Sequence, residues 1–545
     1  MSSTVKNWDQ EVDVIAVGSG GSGLTAALLA HDRGAKALVL ERSDKVGGTT
    51  AVSGGGLWIP MNHLMAENGI EDSREEALSY CKRLTSGRAE DDMVETFVDT
   101  GYKLVRYLAD NTEVEFELSR TPDYRADEEG AKLGGRTLGQ QFFEKKLLGE
   151  WEAKLRPSPL MFVPLTIDEM LKGMAKPRSV PVDKIVERMS KGMVGSGNAL
   201  IGRLLKSCLD REIEIKLEAR ARQLVVEDGR VVGLRVESEG RDVFIKAKGG
   251  VVLACAGFEW NEKMRKQFLP GPLTQNCSPP YNEGDGLTMA SEVGADLANM
   301  SEAWVYPGFC IPGEEHEDRP VSRWVIGERT LPHTIMVNRT GQRFVNEGVN
   351  YNDISKALYY FDPNTFDFRN LPCWCILDSQ FREKYMLLTV MPRDPDPDWL
   401  SKADSLRELA EMVGVDPDGL EASVARWNTL VEQGEDTDFG RGTGGYERWI
   451  GDPDAPHPNL GPINKPPYYA LQLDAHSAGT KGGPRTNTKA QVLNVRGAVI
   501  PGLYAAGNVM AGVSGPGYYG GGGTIGLGMT WGYISGINAA EEAKA

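Results

Sequence analysis

Cysteine and histidine are scarce in this sequence. Its 545 residues contain seven cysteines and six histidines, and the cysteines are an odd, scattered set. Such a set argues against a disulfide framework and favours a reducing compartment. The segment Cys373-Trp374-Cys375 has no second cysteine pair that would complete a zinc site. We therefore expect no metal centre here and place these cysteines in the protein core.

Long apolar runs and an excess of positive charge are also missing. No stretch reaches about 18 uninterrupted apolar residues, so we expect no transmembrane helix. Residues 1–13 carry no apolar run of signal-peptide length. The net charge of −17 disfavours a nucleic-acid partner. These features predict a cytoplasmic protein, with peripheral membrane association as an alternative because it needs no spanning segment.

A nucleotide-binding pattern lies close to the start of the chain. The apolar residues 12–17 predict a buried parallel strand. The segment Gly18-Ser19-Gly20-Gly21-Ser22-Gly23 follows directly and matches G-x-G-x-x-G. Residues 24–31 are rich in Ala and Leu and predict a helix, and a second predicted strand, residues 37–40, ends on Glu41. This order of elements is typical of a dinucleotide-binding unit.

Each part of this pattern has a physical role. Gly18 permits the tight turn, Gly20 lets the backbone approach a pyrophosphate, and Gly23 lets helix and strand pack closely. The helix N-terminus offers unpaired N–H groups and a partial positive charge to the pyrophosphate. Glu41, about 20 residues further on, can accept hydrogen bonds from ribose hydroxyls.

A second glycine-rich segment, residues 47–56, indicates which dinucleotide binds. Its sequence is GGTTAVSGGG, and it follows shortly after the acidic residue. A nicotinamide domain does not need such a loop, whereas a flavoprotein can use it to lay backbone N–H groups along the flavin and pyrophosphate. We therefore predict FAD, bound non-covalently because no histidine stands among residues 49–53. The alternative is a flexible surface loop.

The remaining patterns predict an α/β protein in which a Rossmann-like FAD-binding domain is interrupted by an inserted α+β cap domain. Residues 213–254 show strand patterning, and an apolar strand at 250–257 would return the chain to the nucleotide sheet. Aromatic residues then concentrate between 303 and 477, which we predict to be the catalytic cap that encloses the substrate. Residues 1–302 and 478–545 form the FAD-binding domain in this scheme, closed by a helix at 527–540.

Residues 141–206 differ from the rest of the chain in charge. They hold eight lysines and four arginines against seven acidic residues, interleaved with apolar side chains such as Leu147, Trp151 and Phe162. One interpretation is a helical cover over the cofactor with a solvated outer face. The other is peripheral contact with an anionic membrane surface.

Five further motifs carry a family resemblance. The chain resembles the 3-ketosteroid Δ1-dehydrogenases, within the larger group of fumarate reductase-like FAD-dependent flavoproteins, from about residue 11 to 542. The motifs are GGTT…SGGGLWIP at 47–60, AGFEWN at 256–261, GQRFVNE at 341–347, GTKGG at 479–483 and GGTIG at 522–526. The chain departs from the family pattern at Tyr519 and Gly521, where the steroid enzymes can carry proline.

The resemblance implies desaturation of a steroid A ring between carbons 1 and 2, beside the 3-ketone. It implies that Tyr518 and the N–H of Gly522 hold the ketone oxygen, because two donors stabilise a developing enolate. It implies that Tyr351 removes the α-proton with help from Tyr124, while a hydride leaves to flavin N5. The cofactor-binding residues expected from the motifs are Gly18, Gly20, Gly21, Gly23, Glu41, Arg42, Gly48, Thr49, Thr50, Ser53, Gly54, Gly55, Ala256, Gly257, Asp285, Gly507, Asn508, Gly523, Thr524 and Ile525.

Other functions remain open at this stage. The same chemistry could act on a smaller cyclic ketone, such as an oxocyclohexane carboxylate, or at the Δ4 position of a 3-ketosteroid. A fumarate reductase would need arginines and histidines for a dicarboxylate, and His476 precedes the position that such an enzyme would use. A flavin-binding electron carrier would not need an aromatic inserted domain. The sequence does not identify the electron acceptor.

Overall fold

The computed structural model describes residues 7–545. The predicted nucleotide-binding strand lies inside the larger of its two main sheets. Gln10–Val17 pairs in parallel with Ala37–Leu40 on one side and with Arg241–Leu253 on the other. The strands are rich in Val, Ile, Leu and Ala and are buried, as expected for a parallel sheet covered on both faces. The strand order is Gln491–Leu493, Val499–Ala505, Arg241–Leu253, Gln10–Val17, Ala37–Leu40 and Glu214–Lys216, with the hairpin Ala219–Glu227/Arg230–Ser238 joined to Arg241–Leu253.

Two helices pack against each other on this sheet, the first and the last of the chain. They are Gly21–Asp32 and Gly523–Glu542. Their backbones touch because glycines face the neighbouring helix: a Cβ on Gly532 would lie 2.4 Å from the carbonyl oxygen of Ser22. The last helix begins four residues before the start that the sequence predicts. The return of the chain to the nucleotide sheet is confirmed, so one FAD-binding unit is assembled from both ends of the chain.

A second sheet forms the core of the inserted region. Its central strand is Tyr468–Thr480, beside Ala303–Phe309 and Cys373–Asp378. Cys373 and Cys375 are fully buried, as predicted. The short strand Gln275–Asn276, which precedes the predicted cap, also pairs with this central strand. The limits of 303 and 477 therefore stay a prediction. The outer strands of the sheet are Arg323–Trp324, Thr334–Val337 and Ser401–Ala403.

The glycine-rich segment 47–56 contains a short helix, Gly48–Val52, where the sequence predicts a loop. The helix is stabilised by tertiary contacts, because the Oγ1 of Thr50 accepts the N–H of Gly21 and the segment packs on the helix Ser196–Asp210. Nearby, the two strands expected between 243 and 257 are one strand, Arg241–Leu253. Gly250 absorbs the irregularity with a φ of +141°.

The basic region 141–206 is largely helical, as one of its two interpretations requires. It contains a 3-10 segment, Lys145–Lys154, and the helices Ile167–Ala175, Val182–Ser190 and Ser196–Asp210. Ser196–Asp210 is mostly buried in the core, whereas Val182–Ser190 has no buried residue. None of the helices described between residues 7 and 545 combines the length and apolar character that a bilayer crossing requires.

Caps set the starts of several helices outside the sheets. Ser73 accepts the N–H of Glu76 at the start of Arg74–Thr85, and Asn350 accepts the N–H of Asp353 at the start of Tyr351–Leu358. A small sheet, Leu57–Trp58 with Phe116–Leu118 and Thr137–Gln140, borders the loop at 119–136. The other helices are His63–Glu67, Asp91–Asn111, Glu262–Phe268, Asp285–Glu292, Gly327–Thr330, Ser379–Lys384, Leu406–Val413, Pro417–Gln433 and Gly445–Ile450.

Candidate active site

One large cavity connects the glycine-rich segments with a cluster of tyrosines. It has a volume of about 460 Å³ and extends from Glu41 and Arg42, past Gly20 and the segment 48–56, to Tyr351 and Tyr518. Most of the expected cofactor-binding residues line it: Gly18, Gly20, Gly21, Glu41, Arg42, Gly48, Thr49, Thr50, Ser53, Gly54, Gly55, Ala256, Asp285, Gly507, Asn508, Thr524 and Ile525. Gly23, Gly257 and Gly523 lie away from the wall.

The three motif glycines occupy different environments. Gly18 has a φ of +108°, and a Cβ there would lie 2.5 Å from the carbonyl oxygen of Ala254. A Cβ on Gly23 would lie 1.9 Å from the carbonyl oxygen of Gly18, so this glycine lets helix and strand pack. Gly20 is open by contrast, since the nearest atom to its Cβ position is the Oγ1 of Thr50 at 3.7 Å. Only Gly20 thus leaves its backbone open to a ligand.

The carboxylate of Glu41 is buried and bonded to two serines. Its Oε2 accepts the N–H and the hydroxyl of Ser19 at 3.2 and 2.5 Å. Its Oε1 accepts the N–H and the hydroxyl of Ser43 at 2.9 and 3.0 Å. A carboxylate has about four acceptor positions, and these bonds use them. A ribose hydroxyl would therefore have to replace a serine hydroxyl, and contact between Glu41 and ribose stays a prediction.

Arg42 and Asp285 belong to one ion-pair network at this end of the cavity. Arg42 pairs with Glu283 at 2.5 Å, and Arg220 pairs with Asp285 at 2.7 Å. Arg42 also donates to the carbonyl of Tyr281 at 2.8 Å. The network places two guanidinium groups on the wall with their charge already balanced.

The cavity suits an extended dinucleotide. The helix Gly21–Asp32 has no side-chain cap at Gly20 and no acidic residue in its first turn, so its N-terminus is available to an anion. The open face of Gly20 lies at this N-terminus, and the uncapped helix Gly523–Glu542 begins at the other glycine-rich edge. These residues would hold the pyrophosphate and flavin of FAD.

Three tyrosines from distant parts of the chain meet at the far end of the cavity. The hydroxyls of Tyr124 and Tyr351 lie 3.4 Å apart, with Tyr124 donating. The ring of Tyr518 lies 5.1 Å from that of Tyr124 and 5.6 Å from that of Tyr351, measured between ring centres. All three side chains are buried and line the cavity. The structure thus brings together the three tyrosines selected by the family motifs.

Tyr124 lies in a loop that is rigid despite its polar sequence. Its N–H donates to the carbonyl of Tyr519 at 3.1 Å. The carboxylate of the preceding Asp123 accepts from Trp58 at 2.7 Å and from Arg136 at 2.8 Å, and both groups are buried. Since these bonds anchor the loop on both sides, the Tyr124 ring is fixed beside Tyr351.

Tyr518 and Gly522 both line the cavity. Thr524 donates to the Tyr518 hydroxyl at 3.2 Å, which leaves the phenolic proton free for a ligand. Gly522 has a φ of +91°, lines the cavity, and its N–H has no protein acceptor among residues 7–545. The neighbouring Tyr519 is fully buried against Trp58 at 5.1 Å and does not line the cavity.

Burial dominates the electrostatics of the cluster. It raises the pKa of Tyr351 and that of Tyr124 well above the ordinary tyrosine value. Burial also raises the pKa of Tyr518, while the hydrogen bond from Thr524 opposes that shift. All three groups are therefore protonated at neutral pH.

Several side chains at the site are absent from the sequence-based set. Tyr446 packs edge-on against Tyr124 at 4.9 Å and lines the cavity. Trp324 lies 4.7 Å from Tyr351, and Trp304 lies 4.5 Å from Tyr518. The aromatic enrichment after residue 303 was the only sequence signal for them, and it does not distinguish wall residues from core residues.

Comparisons with known proteins show which family the chain resembles. The FAD binding domain family matches residues 13–525. The 4-oxocyclohexanecarboxylate 2-dehydrogenase of Sinomonas cyclohexanicum is 38% identical over 97% of this chain and 93% of its own length. The 3-oxosteroid 1-dehydrogenase of Mycobacterium tuberculosis is 35% identical over 98% of this chain and 99% of its own length. The crystal structure of a 3-ketosteroid delta1-dehydrogenase from Sterolibacterium denitrificans, in complex with 1,4-androstadiene-3,17-dione, has a TM-score of 0.92 and 36% identity, covering 98% of this chain and 100% of that one.

Proposed function

The chain belongs to the FAD binding domain family, among the flavoenzymes related to 3-ketosteroid Δ1-dehydrogenases, and from this premise we propose that it desaturates the bond between carbons 1 and 2 of a 3-oxosteroid. It is an FAD-dependent oxidoreductase. The observation that carries the proposal is the meeting of Tyr124, Tyr351 and Tyr518 at one end of the cavity whose wall also includes Gly522.

The two donors are suited to a ketone oxygen. Tyr518 can give its phenolic proton to the oxygen because its own acceptor position is occupied by Thr524. The Gly522 N–H provides the second hydrogen bond. Both bonds strengthen as negative charge develops on the oxygen, which is the condition for catalysis of proton removal beside a ketone. FAD, when bound, supplies the acceptor for the hydride that leaves the neighbouring carbon.

Tyr351 is the proposed base, and Tyr124 supports it. A base must be deprotonated before it takes the α-proton, and burial makes the Tyr351 phenolate rare at neutral pH. A hydrogen bond donated by Tyr124 stabilises the phenolate. Tyr351 starts the helix Tyr351–Leu358 of the cap and Tyr518 lies in the C-terminal segment, so the ring would be held between the two parts of the molecule.

The charge of the cavity wall favours an uncharged ketone. Among residues 7–545, the four cationic side chains on the wall each pair with a carboxylate: Arg42 with Glu283, Arg156 with Glu317, Arg220 with Asp285 and Arg323 with Glu314. The wall near the tyrosines includes the apolar side chains of Ile326, Met174 and Leu388 and the buried carboxyl group of Glu328. A substrate carboxylate would have no free cation to meet there.

Two alternatives keep the mechanism and change the ketone. The relative from Sinomonas cyclohexanicum favours an oxocyclohexane carboxylate, and Δ4 desaturation of a 3-ketosteroid is the other. Anaerobic titration of the yellow holoenzyme separates them. We expect androst-4-ene-3,17-dione to bleach the flavin and 4-oxocyclohexanecarboxylate to leave it oxidised. A Δ4 enzyme would leave the flavin oxidised with both ligands, because the first already contains the Δ4 double bond, and would be bleached by 5α-androstane-3,17-dione. Bleaching by the carboxylate alone would replace the steroid assignment.

We also propose peripheral membrane contact through the region 141–206. In the helix Val182–Ser190, the apolar residues Val182, Val186 and Met189 are 63%, 60% and 53% exposed to solvent. Their spacing of four and three positions places them on one face of the helix. Phe162 is 66% exposed in the same region. The preceding helix, Ile167–Ala175, lines the cavity through Met170 and Met174, so an apolar substrate would have a short path from a bilayer.

A further inference from the structure

A buried lysine contacts the backbone segment that leads into Tyr518. Lys481 is 1% exposed and follows the long strand Tyr468–Thr480. Its Nζ lies 3.8 Å from the ring centre of Trp304. The same Nζ donates to the carbonyl oxygens of Gly515, Pro516 and Gly517 at 3.3, 3.3 and 2.9 Å. These three residues directly precede Tyr518.

Two opposing effects act on the charge of this side chain. Burial lowers the pKa of Lys481 well below its ordinary value, whereas the three carbonyl oxygens stabilise the ammonium form, which has three N–H donors. The face of Trp304 also attracts a cation. No carboxylate lies within 4.0 Å of Nζ in the described part of the chain, residues 7–545. An unpaired ammonium in the interior is costly to bury, so its retention here requires an explanation.

Lys481 reaches Tyr518 by two routes. Through the backbone, it fixes the carbonyls of residues 515–517 and thereby the position of the next residue. Through the side chains, Trp304 contacts both groups: Nζ of Lys481 lies over its ring, and the centre of the Tyr518 ring is 4.5 Å from that of Trp304. The indole N–H of Trp304 donates to Asn508 at 3.2 Å, which fixes the ring in this position.

We propose that Lys481 is a positioning residue for the reaction. It orients the Tyr518 hydroxyl and directs positive charge toward the ketone oxygen, where negative charge develops as the enolate forms. This inference rests on the proposed function. In a cavity shielded from water, a charge acts over a longer distance than it would in solvent, so Lys481 stabilises the enolate without touching it. The neutral ketone gains less stabilisation from this charge than the enolate does. Loss of Lys481 should therefore lower kcat more than it changes KM.

Binding of phenols tests the role of Lys481 without turnover. A phenol presents the oxygen of an acidic hydroxyl to the two proposed donors, the Tyr518 hydroxyl and the Gly522 N–H. The ligands are para-substituted phenols of increasing acidity, with 4-chlorotoluene as the hydroxyl-free partner of 4-chlorophenol. Dissociation constants are read from the absorbance of the oxidised bound flavin. The variants are Lys481→Met, which keeps the apolar stem, and Lys481→Gln, which also keeps N–H donors for the loop. Lys402→Met is the matched control, since Lys402 lies over the ring of Tyr469.

In wild type and in Lys402→Met, affinity should rise steeply with phenol acidity. Both Lys481 variants should retain FAD, bind 4-chlorotoluene normally, and bind the most acidic phenol about tenfold more weakly, so the slope flattens. Their kcat on the ketone should fall by about tenfold or more with KM nearly unchanged. An unchanged slope, or an equal loss for every ligand, overturns the role of Lys481. Wild type that neither binds phenols nor reacts with ketones would instead remove the ketone site itself.

Discussion

The hydroxyl of Tyr124 lies 3.4 Å from the hydroxyl of Tyr351, although 227 positions separate the two residues in the chain. Tyr124 comes from the loop at 119–136 and Tyr351 from the helix Tyr351–Leu358. Their pairing depends on the packing of two separate parts of the chain, and it makes the assignment of base and helper testable.

Tyr351→Phe should abolish both flavin reduction and solvent exchange of the substrate α-proton, because no base remains. Tyr124→Phe should slow both by a smaller factor, because it removes only the supporting hydrogen bond. Deuterium incorporation into the ketone, measured anaerobically by mass spectrometry, is the direct measurement. Exchange at the wild-type rate in Tyr351→Phe would move the base to Tyr124.

Tyr518→Phe should lower kcat by roughly 10²-fold or more while FAD content is retained, since it deletes one donor to the ketone oxygen. Tyr519→Phe is the matched control, because it removes the hydroxyl of the adjacent tyrosine, which lies in the core. We expect the control to keep wild-type kinetics. The opposite pattern, with Tyr519→Phe impaired and Tyr518→Phe active, would contradict the placement of the ketone.

The pH dependence follows from the pKa of Tyr351, which burial raises above its ordinary value of about 10. The active form is the phenolate, whose fraction rises about tenfold for each pH unit below the pKa. We therefore expect log kcat/KM to rise with a slope near one from neutral pH upward. In Tyr124→Phe the rise should continue to a higher pH. A plateau already reached at neutral pH would exclude a tyrosine base with this pKa.

FAD should be released intact by acid. No histidine lines the cavity in the described chain, and the predicted contacts to the cofactor come from backbone groups and from Thr, Ser, Asn, Asp, Arg and Glu side chains. After acid precipitation, the yellow colour is expected in the supernatant, with one FAD released per chain. Flavin absorbance that stays with the washed, redissolved pellet would indicate a covalent bond instead.

Membrane contact should depend on both charge and the exposed apolar face. The protein should co-sediment with vesicles that contain anionic lipid, more weakly with neutral vesicles, and less at high salt. Val186→Glu should reduce co-sedimentation, because it places a charge on the face of Val182–Ser190. Met412→Glu is the control, since Met412 is equally exposed, at 59%, outside the basic region. Equal loss in both variants would assign the binding to overall charge.

The sequence by itself determined the nucleotide-binding end of the molecule. Residues 10–41 predict strand, turn, helix and strand, and their physical constraints are local: the turn needs Gly18, and close packing needs Gly23. The family motifs also selected Tyr124, Tyr351, Tyr518 and Gly522, which the structure brings to one cavity. The limits of the cap and the roles of these residues stay predictions.

Tertiary structure alone decided which of two similar neighbours faces the cavity. Tyr518 and Tyr519 have the same side chain, and only packing against Trp58 turns Tyr519 into the core. It also decided that Glu41 is bonded to Ser19 and Ser43, and that the Nζ of Lys481 lies over the ring of Trp304. These relations join residues far apart in the chain, and their energy comes from burial and from hydrogen bonds that exist only after the chain has folded. A local pattern therefore contains no signal for them.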